Sequence, residues 1–177
     1  MTVRRVSVYI DGFNLYHAID ELKPKENHLK WVDLWALSET LVLPGEAVIT
    51  VKYFSAYANW KGDSLGRHQK YVTALKEKGV EFINGRFKKK RVKCKKCDKR
   101  FYTREEKETD VNIGVHLMAD GLQNRFDRAL VISADTDLNG AVDLTRTETV
   151  GKQIDIFAPP KRKNNNSKDL CKVSMTK

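Results

Sequence analysis

Four aspartates stand where the chain changes character. In VSVYIDGFNLYHAI, residues 6–19, a short apolar run ends in Asp11, turns on Gly12 and passes into a helical segment carrying Asn14. ALVISADTDL, residues 129–138, repeats the design, with Asp135 and Asp137 after the apolar run. Between them, EKETDVNIGVHLMAD (106–120) opens a helix with Asp110. A carboxylate at the C-terminal tip of a strand sits where open α/β sheets place their ligands. Taken singly, each aspartate has a structural reading as a turn residue or helix cap, positions that favour negative charge anyway. Grouped in one cleft they repel, and a hard divalent cation such as Mg²⁺ or Mn²⁺ is what relieves such a group at neutral pH. The expected chemistry is therefore a metal centre on Asp11, Asp110, Asp135 and Asp137. Asn14 is placed to hold a water or a phosphate oxygen, or is an ordinary polar residue early in a helix. Ser133 positions or caps the loop beside Asp135, and Glu108 is either an outer acid of the site or solvated.

Those acids converge only if the elements beneath them are arranged to bring them together. The spacing predicts strands over 6–10, 47–58, 80–87, 129–133 and 153–159, alternating with helices over 12–22, 31–42, 62–79, 109–122 and 138–149. KPKENHLK reads as a polar loop. Strand–helix alternation argues for a mostly parallel central sheet with helices on both faces, a Rossmann-like three-layer α/β/α sandwich. The 177 residues suffice for one such domain, expected over 1–159, followed by a basic polar tail over 160–177. Strand tips on one edge of a parallel sheet are neighbours about 4.8 Å apart, which is what would gather the acids.

The remaining signal is charge. A formal net charge of +10 favours a polyanionic partner, nucleic acid above all. It is concentrated in KKKRVKCKKCDKR, which reads as a small β-ribbon inserted at about 87–103. Lys88, Lys89, Lys90, Arg91, Lys93, Lys95, Lys96, Lys99 and Arg100 are the candidate phosphate contacts, with Phe101 and Tyr102 available to stack on bases. Arg67, Lys70 and Arg86 are candidates to extend the patch. Cys94 and Cys97 have the spacing of half a zinc site, but a closed site needs four ligands; a plain turn, or a zinc shared across a homodimer, are the alternatives. With Cys171 they make an odd count that suits a reducing compartment rather than a disulfide framework. No apolar run approaches the roughly 20 residues of a membrane span, and the opening MTVRRVSVYIDG is expected to be the first strand of a cytoplasmic protein rather than a signal peptide. The phosphate-binding Gly-x-x-x-x-Gly-Lys-Ser/Thr loop is missing, and Phe13 stands where an aspartyl-phosphate enzyme carries its second acid.

YIDGFNLYHAI, EKETDVNIGVHLMA and VISADTDLNGAV resemble, in this order, the three motifs of the NYN domain, a branch of the PIN-like metal-dependent nucleases. The resemblance spans roughly residues 4–159. It implies a PIN-like α/β/α sandwich and Mg²⁺- or Mn²⁺-dependent cleavage of RNA. The family's first acid falls on Asp11 with Asn14 behind it, its helix acid on Asp110 and its paired acids on Asp135 and Asp137. Ala134 replaces the glycine common in the family's third motif. The alternative is a non-catalytic module of the same fold that binds metal and RNA without turnover.

Overall fold

Along β1 (Arg4–Asp11), Val6, Val8 and Ile10 face one side and Ser7 and Tyr9 the other, and all five are buried. A strand buried on both faces belongs in the middle of a parallel sheet. The computed structural model describes residues 2–22, 24–93 and 97–160, and over these it has that arrangement. β1 leads into α1 (Gly12–Asp20), a 3-10 helix (Pro24–Trp31), α2 (Leu34–Glu39), β2 (Glu46–Ser55), α3 (Gly62–Glu77) and β3 (Glu81–Asn84). An antiparallel ribbon of β4 (Arg86–Lys93) and β5 (Arg100–Lys107) follows. The chain then returns through α4 (Thr109–Leu122), β6 (Arg128–Ile132), α5 (Asn139–Glu148) and β7 (Gln153–Phe157). The sheet order is β3-β2-β1-β6-β7, with every pairing parallel.

Two cores cover the two faces. Val6, Val8, Ile10, Leu130 and Ile132 pack on one side against Leu15 and Ile19 of α1, Leu34 of α2 and Val72 and Leu75 of α3. Tyr9, Phe54, Ala129 and Val131 pack on the other against Ile113 and Leu117 of α4 and Val142 of α5. The expected three-layer sandwich is thus observed, with differences at its edges. The predicted strand over 80–87 breaks at Gly85, where a Cβ would stand 3.0 Å from the Lys107 carbonyl oxygen and 3.1 Å from Glu106 Oε1, so the glycine lets the two arms of the ribbon close at their root. The ribbon accordingly spans 86–107, longer than expected. The helix predicted from Trp31 starts at Leu34, because the Asp33 carboxylate accepts from the Trp35 and Ala36 N–H groups and caps it. The expected KPKENHLK loop is the 3-10 helix. Among the described residues no helix is long and apolar enough to cross a membrane. The tail from Lys161 lies outside the described residues.

Polar contacts fix the layers in register. At the end of the sheet where β1, β2 and β6 begin, Arg128 binds Asp155 and Glu46, each at 2.6 Å, and Arg4 reaches the same Glu46 at 3.2 Å. Under α4, the Tyr9 hydroxyl donates to Asp120 Oδ2 at 2.7 Å and the Lys52 ammonium donates to the same oxygen at 2.5 Å. Arg125 donates to Oδ1 at 3.1 Å. Lys52 and Asp120 are both buried, so their pairing offsets a large desolvation cost, and removing one partner strands the other. We expect Asp120→Ala to cost about 3–5 kcal/mol in urea unfolding. Lys52→Met combined with Asp120→Leu should cost distinctly less, because it leaves no unpaired charge.

Candidate metal centre at the strand tips

The sheet order turns back at β1, with β2 and β3 on one side and β6 and β7 on the other. The crevice beyond the carboxyl ends of β1 and β6 is therefore the switch point at which such sheets bind ligands. Asp11 is the last residue of β1, and Ile10 pairs with Ile132, so Ser133 and the loop behind it stand level with Asp11. The tips are bonded to one another. The Ser133 hydroxyl donates to Asp11 Oδ2 at 2.8 Å and accepts from the Asp135 N–H at 3.0 Å. The Ala134 N–H donates to Asn14 Oδ1 at 3.1 Å, and the Asn14 N–H donates to Asp11 Oδ1 at 3.0 Å. Asp135 in turn accepts from the Asp137 N–H at 3.0 Å. Asn14 and Ser133 thus hold the two aspartate-bearing tips together. The substitution of Ala134 is harmless to this bond, because it is the backbone N–H that Asn14 accepts from. Gly12 makes the approach possible: a Cβ there would lie 2.5 Å from the Tyr53 ring and 2.7 Å from the Phe54 carbonyl oxygen.

Electrostatics shows that the acids share one field. Burial, opposed by the hydrogen bonds from Asn14 and Ser133 and helped by the charges of Asp135 and Glu106, raises the Asp11 carboxyl above its usual range. Asp110, in the first turn of α4, is pushed up to about 6 by burial first and then by Asp11, Asp135, Glu106 and Asp137. Capping and convergence both hold: Asp11 caps α1 and Asp135 caps the 3-10 turn at Thr136–Leu138, while their charges act on Asp110. Among the described residues, no group of three or more His, Cys, Asp or Glu side chains is disposed to hold one ion directly. The two Asp11 oxygens accept from the Asn14 N–H and the Ser133 hydroxyl. The donor set nevertheless fits a small hard cation, since Mg²⁺ is typically held by one or two carboxylates and keeps several waters.

The structure adds an acid that the sequence pattern did not single out. Glu106, on β5, bears on both Asp11 and Asp110, while its Oε1 accepts from the Thr109 N–H at 3.2 Å and from the Thr109 hydroxyl. Glu108, the acid weighed from sequence, instead forms a 2.6 Å ion pair with Arg86.

The ribbon reaches the cleft through its root. Phe87 meets Phe13 of α1 with ring centroids 5.5 Å apart and Trp60 at 4.7 Å, and the Arg104 guanidinium lies 4.0 Å over the Trp60 ring. Because side chains alternate along a strand, Phe87, Lys89, Arg91 and Lys93 share one face with their partners Glu106, Arg104, Tyr102 and Arg100. Beyond Glu106 that face is basic and aromatic, and Lys89 sits 4.0 Å over the Tyr102 ring. Lys88 and Lys90 are on the opposite face, where Glu105 pairs with Lys90 and Lys107 at 3.0 Å each. Lys93 pairs with Asp98 at 2.9 Å. The basic run is therefore two unlike surfaces rather than one. Lys99 is exposed near the ribbon's turn, and Cys97 is an exposed free thiol; Cys94, Lys95 and Lys96 lie outside the described residues, and so does Cys171. Arg67 lines the cavity beside the ribbon root, whereas Lys70 is exposed on α3 and does not line it.

A five-stranded parallel sandwich with an acidic switch point and an inserted ribbon defines a PIN-like nuclease fold. The model of the NYN domain matches residues 5–176, nearly the whole chain, and the protein belongs to that family. It is 27% identical over 206 aligned positions to the 6-hydroxy-3-succinoylpyridine 3-monooxygenase HspA of Pseudomonas putida (strain DSM 28022 / S16), an alignment that covers 96% of this chain and 64% of that protein's length. The fold is similar to that of a solved protein of unknown function, VPA0982 from Vibrio parahaemolyticus RIMD 2210633. The TM-score is 0.64 at 14% identity, covering 96% of this chain and 90% of that one. Members of the NYN and PIN-like class generally work with divalent metals and nucleic acid.

A raised carboxyl pKa means that the folded state binds a proton the unfolded chain has released. Stability therefore falls as pH rises from the ordinary value of 3.8 through about 6 for Asp110. We expect Asp110→Asn to raise the melting temperature of chelator-treated protein at pH 7.5, by about 2–4 °C if partial exposure leaves about 1 kcal/mol of relief. The gain should vanish at pH 4. Added Mn²⁺ should stabilise the wild type more than this variant, a difference read by thermal scans with and without chelator.

Proposed function

We propose that the protein is a divalent-cation-dependent ribonuclease that hydrolyses phosphodiester bonds at the β1/β6 switch point. The observation that carries the reading is the bonding of the two acidic strand tips, Asp11 to Ser133 and Ser133 to the Asp135 N–H, at that crevice, with Asp110 in the first turn of α4 and a basic ribbon face beside them. Asp11 and Asp135 would hold the cation, with Asp110 and Asp137 completing or orienting its shell. When bound, the cation polarises the scissile phosphate and offsets charge building on its oxygens. The chain's own groups supply placement. Ser133 and Asn14 fix the Asp11 carboxylate, and Gly12 leaves the backbone room to approach. The carboxylates accept hydrogen bonds from the attacking water and orient it. Its oxygen forms the new bond to phosphorus and gives up a proton to solvent, the bond to the leaving ribose oxygen breaks, and the departing oxygen takes a proton from solvent. Lys89, Arg91, Arg100 and Arg104 are placed to hold neighbouring phosphates. RNA rather than DNA follows from the family's character.

The likeness to the Pseudomonas enzyme favours a second reading, oxygenation of a heteroaromatic ring, since the alignment covers almost all of this chain. The two separate cleanly in one set of assays. Purified protein should cleave RNA oligonucleotides with Mn²⁺ or Mg²⁺ and not with EDTA. Asp135→Asn should lower the rate at least about a hundredfold while leaving the circular dichroism spectrum intact. Metal-dependent RNA binding without cleavage would leave only a recognition module. Turnover of 6-hydroxy-3-succinoylpyridine with dioxygen and a two-electron reductant, with RNA untouched, would favour the second reading.

The ribbon makes its own prediction. Replacing Lys89 and Arg91 by serine should reduce the slope of log affinity against log salt by about two. The same change at Lys88 and Lys90, on the opposite face, should alter it much less, and equal effects from the two pairs would count against a cleft-facing phosphate path.

A further inference from the structure

Beside the acidic crevice, a cavity of about 580 Å³ opens between α1, α3 and the ribbon root. Its size falls within the roughly 300–1,000 Å³ of small-ligand sites. Its lining is mostly rings: Phe13, Trp31, Trp60, Tyr71 and Phe87 face it, and the cations Lys61, Arg67 and Arg104 border it. Lys61 and Arg67 form no ion pair among the described residues, and Arg104 spends its charge on the Trp60 ring. His68, also in the lining, packs edge-on against Tyr53 and Tyr57 and so adds to the aromatic wall. The cavity lining includes Gly12, the residue after Asp11, and Glu106, whose charge bears on Asp11, so the cavity opens beside the acids.

We infer that this cavity receives one unstacked nucleobase of a single-stranded RNA, adjacent to the phosphodiester presented to the acids. An aromatic-walled cleft with cations at its border matches the chemistry of a nucleotide: a flat ring joined to phosphates. A base inside a duplex is stacked on both faces and cannot enter without being unpaired, so the cavity selects single strands. Ribbon and pocket form one continuous path, because Phe87 and Arg104 belong both to the cavity and to the basic face of the ribbon. The inference takes its substrate class from the ribonuclease reading.

The test uses the full-length Asp135→Asn protein with a single-stranded RNA dodecamer in which each internal nucleotide in turn is made abasic. One position should weaken binding about tenfold or more, the loss expected of a stacked base. 2-Aminopurine at that position should change fluorescence on binding. Trp60→Leu should remove both effects, and Arg67→Ala, on an exposed side chain, should weaken all the RNAs alike. A duplex of the same sequence should bind at least about tenfold more weakly. Uniform affinity across the abasic series, with wild-type protein still cleaving the intact RNA, overturns the pocket assignment and leaves the nuclease reading standing. If no RNA is bound or cleaved while adenosine monophosphate still quenches tryptophan fluorescence through Trp60, both assignments fall and the cavity serves a small molecule.

Discussion

The site depends on β1 and β6 being immediate neighbours. Their adjacency is enforced from within the sheet, because Val6, Val8, Ile10, Leu130 and Ile132 must reach one core while Tyr9, Ala129 and Val131 reach the other. A register slip of one residue would send each set to the wrong face. It would also separate Asp11 from Ser133, whose bond exists only because Ile10 stands opposite Ile132. The packing that stabilises the domain is thus the same constraint that sets the distance between the two acidic tips. The Arg128–Glu46–Asp155 contacts at the opposite end of the strands hold that register at a point where no chemistry is proposed.

The tips themselves were legible in the sequence because they are local events. An apolar run followed by Asp11-Gly12, or by Ser133-Ala134-Asp135, announces a strand end within a few residues, and the helical spacing after Asp110 does the same for α4. What brings those tips together is not local, but parallel strand–helix alternation implies it, which makes the sandwich legible as well. Glu106 was out of reach for the opposite reason. Nothing near it marks a functional acid; it joins the site because Phe87 pairs with Glu106 across a ribbon whose register is set by a turn and by Gly85. The same holds for Trp60 and Arg104, which meet only in three dimensions. The basic run looks like one patch in the sequence because composition has no sides, whereas the two-residue period of the strands divides it.

That division separates two kinds of lysine that look alike in the sequence. On the outer face, Lys90 and Lys107 are pinned to Glu105, a pairing worth little in water but enough to lower the free charge presented there. On the inner face the only acid in β5 is Glu106, at the root, while Lys89, Arg91, Arg100 and Arg104 lead away from it. The inner face of the ribbon thus presents positive charge beside the recess that holds Asp11, Asp110, Asp135 and Asp137.

The two charge populations have opposite effects on a phosphate strand: the inner ribbon face attracts it and the recess repels it. Left alone, the recess would keep the phosphodiester away from Asp11; burial together with the acids' mutual repulsion raises the Asp11 and Asp110 carboxyls above their usual range. On the proposed reading a divalent cation reverses the sign of that recess, so the ribbon's attraction and the site's chemistry act on the substrate together only in its presence. The base cavity then matters for more than affinity. Phosphates look the same along a strand, and a charged track by itself lets the chain slide. A ring seated among Phe13, Trp60 and Phe87 fixes one nucleotide against Gly12, and with it the particular phosphodiester that faces the acids.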